Sequence, residues 1–257
     1  MKNVIEIKEL TFAYEKTPVL ENVSFDIAEG TLTAILGANG SGKSTLLDCL
    51  AGLQKPQRGE VLLFGKPVGE YTNREFAKRV AYISQSSSIN IDYSIREFIL
   101  FGRNPFLGFG GFPKERDYEK CEKHSKTLGI THLLDKSVTK VSGGERQMAF
   151  LCRALVQESD ILVFDEPLAA LDFGNQNKVL MLFLDFVSQG KTVIFTTHNP
   201  NQVLDLDCNV MVVNDHRVVC AGVASETIDQ ALLEQIYPGG IAKASMHYTF
   251  DINRHER

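Results

Sequence analysis

The chain has 257 residues, 27 basic and 32 acidic side chains, a net charge of −5 and 44% hydrophobic residues. That length suffices for a large domain with an ample core, and the slight acidic excess argues against a nucleic-acid surface, which shows as a basic surplus. Five widely spaced cysteines (Cys49, Cys121, Cys152, Cys208 and Cys220) with no C-x-x-C pair argue against a disulfide or zinc framework and favour a reducing, cytosolic setting.

The opening MKNVIEIKEL alternates apolar and charged residues and has no secretory-signal pattern. No apolar run approaches the roughly 18 residues of a membrane span, so the chain is expected to be soluble by itself. Strand alternation covers 4–14, 22–27 and 31–36, followed by a glycine-rich turn and a helical stretch over 43–52. Strands at 60–65 and 80–85 enclose a short helix, NREFAKRV. From about 86 to 158 the strand signals vanish: SIREFILFGR, YEKCEKHSKTLGI and the run after SGGER predict helices, with GFGGFP (108–113) as a loop. Strand–helix alternation resumes with ILVFDE (161–166), VLMLFLDFV (179–187) and TVIFTTH (192–198). NVMVVNDHRVVCAG predicts a hairpin and SETIDQALLEQIY a helix. The pattern predicts an α/β fold with a mainly parallel central sheet and an antiparallel β portion near the N-terminus. Its core is expected at about 1–85 and 159–240, an inserted helical subdomain at about 86–158, and a tail at 241–257 too short for a further domain.

GANGSGKST (37–45) fits G-x-x-x-x-G-K-[ST] between a predicted strand and a predicted helix, the context in which that pattern binds phosphate. Gly37, Gly40 and Gly42 permit a tight turn whose backbone N–H groups form an anion nest with Ala38, Asn39, Ser41 and Thr45. The helix N-terminus adds its dipole. Lys43 is placed to reach the β- and γ-phosphates, and the Ser44 hydroxyl to ligate Mg²⁺. A nucleoside triphosphate is the expected ligand.

ILVFDE is an apolar run ending in two carboxylates, as expected for a central strand covered on both faces. Asp165 at its carboxyl end is expected beside the phosphate loop, in the Mg²⁺ shell. Glu166 is sited to orient or deprotonate the attacking water. His198 ends another apolar strand, and ligands of open α/β sheets sit beyond such ends, so it is a candidate for a hydrogen bond to the γ-phosphate. Gln85, ending VAYISQ, could approach Mg²⁺ and the water or simply face solvent. Ser142 and Glu145 in VSGGERQM form a capping-box pattern at a helix start, where Gly143 and Gly144 leave the backbone open to close approach.

These pieces in this order resemble the ATP-binding subunit of ABC transporters, over essentially the whole chain. GANGSGKST is similar to the Walker A, ILVFDE to the Walker B, Gln85 to the Q-loop, AALD (169–172) to the D-loop and His198 to the switch histidine. VSGGERQ is similar to the signature LSGGQ, with Val141 for Leu and Glu145 for Gln. The resemblance implies a head-to-tail dimer of two copies of the chain, with Ser142, Gly143 and Gly144 of one copy closing over ATP held by the other. Asp172 would belong to the ATP site as part of the D-loop. An aromatic residue would stack on adenine, either Tyr14 or its neighbour Phe12. The resemblance implies a cytoplasmic chain peripheral on the inner face of the cell membrane, with integral membrane permease subunits as partners and, indirectly, a substrate-binding protein.

LFGRNPFLG (100–108) is similar to a G-R-x-P-x-x-G stretch of importer subunits for iron chelates, haem and cobalamin. THNPNQ (197–202) departs from the H-D those importers usually show and leans toward a molybdate-like branch. The alternatives are a soluble ABC ATPase acting as an assembly scaffold, as in iron–sulfur cluster biogenesis, and the ATPase of an exporter.

Overall fold

The computed structural model describes residues 2–85, 92–108 and 110–237. Two sheets form the core. Strands β1 (Asn3–Tyr14), β2 (Thr17–Ala28), β4 (Arg58–Leu63) and the two-residue β5 (Lys66–Pro67) make an antiparallel sheet in the order β2-β1-β4-β5. The second sheet contains β3 (Leu32–Leu36), β6 (Val80–Ile83), β7 (Ile161–Phe164), β8 (Thr192–Thr197), β9 (Asn209–Asn214) and β10 (Arg217–Val223). Its order is β10-β9-β3-β8-β7-β6, parallel throughout except for the β9–β10 hairpin.

Side-chain alternation explains why the parallel strands read as unbroken apolar runs. Leu162, Phe164, Val193 and Phe195 enter one core, whereas Ile161, Val163 and Ile194 enter the other. The second core lies between the sheets and contains Leu46, Leu47 and Leu50 of α1 (Lys43–Leu50). On the opposite face, Phe183 of α6 (Phe173–Ser188) stacks on Phe164 with centroids 5.0 Å apart.

A helical segment separates β6 from β7. It holds α3 (Ile95–Leu100), α4 (Glu115–Leu128) and α5 (Gly143–Gln157). The helix expected across 94–103 ends early and continues as a 3-10 turn, Phe101–Phe106, containing Pro105. Physical reasons for the G-R-x-P-x-x-G stretch lie here. A Cβ on Gly102 would come 2.3 Å from the Arg153 carbonyl oxygen, so only glycine lets this turn touch α5. Arg103, 3% exposed, pairs with the buried Asp117 of α4 at 2.8 Å and donates to the Val156 carbonyl at 2.8 Å. One guanidinium thereby ties three pieces of the helical segment together.

Two more departures are local. THNPNQ starts a helix unexpected from the sequence, α7 (Pro200–Leu206), with Asn199 as its N-cap and Pro200 in the first turn. The final predicted helix divides into α8 (Ala224–Thr227) and α9 (Gln230–Ile236), and α2 spans Asn73–Arg79 as expected. The five cysteines are free. The tail at 241–257 lies outside the described residues.

Candidate active site

The phosphate loop joins β3 to α1. Gly40 and Gly42 have φ of 80° and 103°, which L side chains rarely adopt. At Gly37 the constraint is space, since a Cβ would meet the Val213 carbonyl oxygen at 2.3 Å. Lys43, 4% exposed, turns back and donates to the Gly37 and Ala38 carbonyls at 2.9 and 3.0 Å. Burial pushes its ammonium below the usual lysine value, against the pull of Glu166 and Asp165. Among the described residues, Ser41 Oγ is one of two buried side-chain polar atoms without a hydrogen bond. A phosphate oxygen in the loop would give it a partner.

The loop opens into a cleft of about 520 Å³ whose walls include Tyr14, Asn39, Gly40, Lys43, Ser44 and Glu166. Gln85, Gly42 and Thr45 also border it. The two aromatic candidates differ in position. Tyr14 is 47% exposed at the cleft, whereas Phe12 is 5% exposed, packed in the core edge-on beneath the Tyr14 ring with centroids 4.9 Å apart. The β1–β2 pairing shifts register between Phe12 and Ala13.

Asp165 and Glu166 emerge from β7, one strand removed from β3 because β8 lies between them. Asp165 is 3% exposed and sits behind the cleft wall; its Oδ1 accepts from the Thr196 hydroxyl at 2.7 Å. The same hydroxyl accepts from the Glu166 backbone N–H at 2.7 Å. Glu166 has a φ of 46°, a strained backbone for a non-glycine residue that this hydrogen bond helps to hold. Its carboxylate is a meeting point. Gln85 Nε2 donates to it at 2.9 Å, Lys43 Nζ lies 3.8 Å away, and His198 Nδ1 lies 3.6 Å away. Lys43, Gln85 and His198 therefore converge on the Glu166 carboxylate beside the phosphate loop.

The remaining candidates lie elsewhere. Ser142 is the exposed N-cap of α5, and the capping box is formed: Glu145 N–H donates to Ser142 Oγ at 3.2 Å, and Ser142 N–H to Glu145 Oε2 at 2.8 Å. A Cβ on Gly143 would meet nothing within 4 Å, so internal packing does not require that glycine. Gly144 packs against the Ala170 carbonyl. Asp172 caps α6 by accepting from Asn175 N–H at 3.0 Å, and that backbone bond holds its carboxyl below the usual value. None of these four residues lines the cleft of its own chain.

Sequence reasoning missed three contributors. Thr196 and Thr197 interrupt an apolar strand at the level of the carboxylates, a signal that was present but unspecific. Tyr237 follows α9, and its hydroxyl donates to the His198 backbone carbonyl at 2.6 Å. Burial pushes that hydroxyl up to about 12. Only the tertiary fold makes that contact.

The donor set suits a hard divalent cation. Ser44 Oγ and the Gln85 amide at the cleft, with the Asp165 carboxylate behind them, would supply oxygens of the kind Mg²⁺ prefers. Among the described residues no cluster of three or more His, Cys, Asp or Glu side chains could hold a metal. Such a site draws its remaining ligands from nucleotide phosphates and water. Among the described residues, no helix is long and apolar enough to cross a membrane.

The family model described as ABC transporter matches residues 20–169. The ferric enterobactin transport ATP-binding protein FepC of Escherichia coli (strain K12) is 34% identical over 231 residues, covering 90% of this chain and 85% of that protein. The molybdate import ATP-binding protein MolC of Haemophilus influenzae is 34% identical over 216 residues, covering 83% and 80%. A solved metal-chelate type ABC transporter in an inward-facing conformation superposes with a TM-score of 0.78 at 32% identity, over 92% of this chain and 89% of that one.

Proposed function

The chain belongs to the ABC transporter family and is an ATPase of it, and we propose that it powers an importer of a metal chelate or oxyanion by closing on ATP as a pair of identical copies. The observation that carries this reading is the convergence of Lys43, Gln85 and His198 on the Glu166 carboxylate, at the mouth of a cleft large enough for a nucleotide.

Lys43 and the loop N–H groups hold the β- and γ-phosphates, and Tyr14 stacks on adenine. Glu166 takes a proton from the attacking water, Gln85 orients that water, and His198 donates to a γ-phosphate oxygen. Mg²⁺, held by Ser44, Asp165 and Gln85, would neutralise charge building on the phosphates. Ser142, Gly143 and the N-terminal dipole of α5, which do not line their own cleft, offer an anion site to a second copy. Asp172 approaches the same interface.

The permease partner is assigned to a groove of about 430 Å³ walled by Gly52, Leu53, Val68, Tyr71, Phe76 and Tyr82. Leu53 there is 64% exposed, and the same wall includes β6, which leads into Gln85. On this reading the chain sits on the inner face of the cell membrane. The substrate class, an iron chelate or a molybdate-like anion delivered by a binding protein, rests on the relatives, because substrate passes through other chains. An assembly scaffold would share the nucleotide site but not a membrane partner.

The test is purification of the Glu166→Gln chain with ATP and Mg²⁺ from detergent-solubilised native membranes. A polytopic membrane protein that co-purifies and, reconstituted with the wild-type chain, gives ATP-dependent uptake supports the importer. Purely soluble partners would favour the scaffold.

A further inference from the structure

Consecutive residues of a strand face opposite sides of a sheet, and β8 ends in two threonines that use both. Thr196 serves Asp165 and Glu166 on the α1 face. Thr197, 5% exposed, faces α6 and α7. Its hydroxyl accepts from the Asn199 backbone N–H at 3.0 Å and donates to Gln202 Oε1 at 2.7 Å. Gln202 Nε2 donates to Gln176 Oε1 at 3.3 Å. Gln176 Nε2 in turn donates to the Leu168 and Leu171 carbonyls at 3.1 and 3.0 Å.

The ends of this chain set its polarity. A backbone N–H only donates and a carbonyl only accepts, so reversing either amide would place acceptor against acceptor at one of its junctions. Both ends reach functional backbone. One is the turn carrying His198. The other is the segment 168–172, which follows Glu166, ends at the α6 cap Asp172, and holds the Ala170 carbonyl against Gly144 of α5. A cavity of about 170 Å³ bordered by Glu166, His198, Gln176 and Gln202 leaves room for the two ends to shift.

We infer that Gln202 and Gln176 are positioning residues for ATP hydrolysis: through Thr197 they fasten the His198 turn to segment 168–172, so that a second copy pressing on that segment sets His198 relative to Glu166. The inference rests on the ATP-driven pairing proposed above, and it gives a chain's own D-loop a hydrogen-bonded route to its own switch histidine.

Steady-state ATPase rates of Thr197→Val, Thr197→Ser, Gln202→Met, Gln176→Met and the double Met variant test it. Val keeps the shape of threonine and removes the hydroxyl; Ser keeps the hydroxyl and removes the methyl. Thr197→Val and each Met variant are expected to lower kcat about tenfold with the KM for ATP within about twofold, while Thr197→Ser retains at least about half of kcat. The double Met variant should lose no more than the worse single one, because both residues act in one chain. A Ser variant as poor as Val, multiplying losses in the double variant, or a loss carried by KM would overturn the relay. If a Met variant fails to fold, the Thr197 pair alone decides. Each substitution is also placed on Glu166→Gln and assayed for ATP-induced dimer. Absence of dimer in Glu166→Gln itself refutes the pairing, whereas a normal dimer with unchanged kcat in Thr197→Val refutes only the relay.

Discussion

Thr196 and Asp165 share a buried 2.7 Å hydrogen bond at the ends of neighbouring strands. The carboxylate is thereby held in one orientation, and because the same hydroxyl also receives the Glu166 N–H, one side chain registers both acidic residues. Thr196→Val should destabilise the fold by about 1–3 kcal/mol, the cost of an unsatisfied buried acceptor. It should also raise the Mg²⁺ concentration for half-maximal ATPase activity, with Thr196→Ser close to wild type. A magnesium titration of the three proteins checks this, and an unchanged half-saturation point in the Val variant would separate Thr196 from the metal site.

Lys43 is kept charged against its burial. With the folded value below the ordinary 10.5, the unfolded chain binds more protons between the two values, so stability rises with pH across that window. At neutral pH the charge therefore costs stability. Lys43→Met should melt at or above the wild-type temperature without nucleotide, yet show no further rise on adding ATP. A lower melting temperature would mean that the ammonium stabilises the loop.

Tyr14 and Phe12 should separate cleanly. Tyr14→Ala removes an exposed ring at the cleft and should raise the Kd for ATP by about 3- to 30-fold, the range of aromatic stacking, with Tyr14→Phe near wild type. Phe12→Ala should instead lower stability by about 3–5 kcal/mol as a core deletion. Fluorescent-nucleotide titration and thermal melting distinguish the two.

Arg103 and Asp117 form a buried ion pair, so truncating one partner leaves a charge alone in the core. Arg103→Ala should cost about 3–5 kcal/mol, whereas Arg103→Met with Asp117→Leu should recover most of the loss. Burial pushes the Asp117 carboxyl up, but the Lys114 backbone N–H and the Arg103 guanidinium outweigh it and hold the group below its ordinary 3.8. Its stabilisation is present above that pH and fades as pH falls through the lower folded value. Limited proteolysis on acidification should open the helical segment in wild type over that range, and the Met/Leu pair should abolish that acid dependence.

Much of this architecture was legible in the sequence for identifiable reasons. β3, β7 and β8 showed as apolar runs because both of their faces are covered, and the ligand edge followed from the polar residues ending them. Asp165, Glu166 and His198 could be named on that ground. Thr196, Thr197, Gln176 and Gln202 could not, since their roles depend on how β7, β8, α6 and α7 are registered, which no local pattern encodes. The helix pattern over 94–103 did not show the turn at 101–106, and no pattern showed the start of α7. Pro105 sits inside a 3-10 turn, and Pro200 opens a helix.

In the proposed ATP-driven pair, one copy's Ser142 and another copy's Lys43 enclose the same ATP. Light scattering during gel filtration of Glu166→Gln, with and without ATP and Mg²⁺, measures this most directly. The expected result is a monomer without nucleotide, a dimer with it, and a monomer in both conditions once Ser142→Arg is added while ATP still binds. A Glu166→Gln chain that stays monomeric with ATP bound, or a dimer indifferent to Ser142→Arg, would contradict the account.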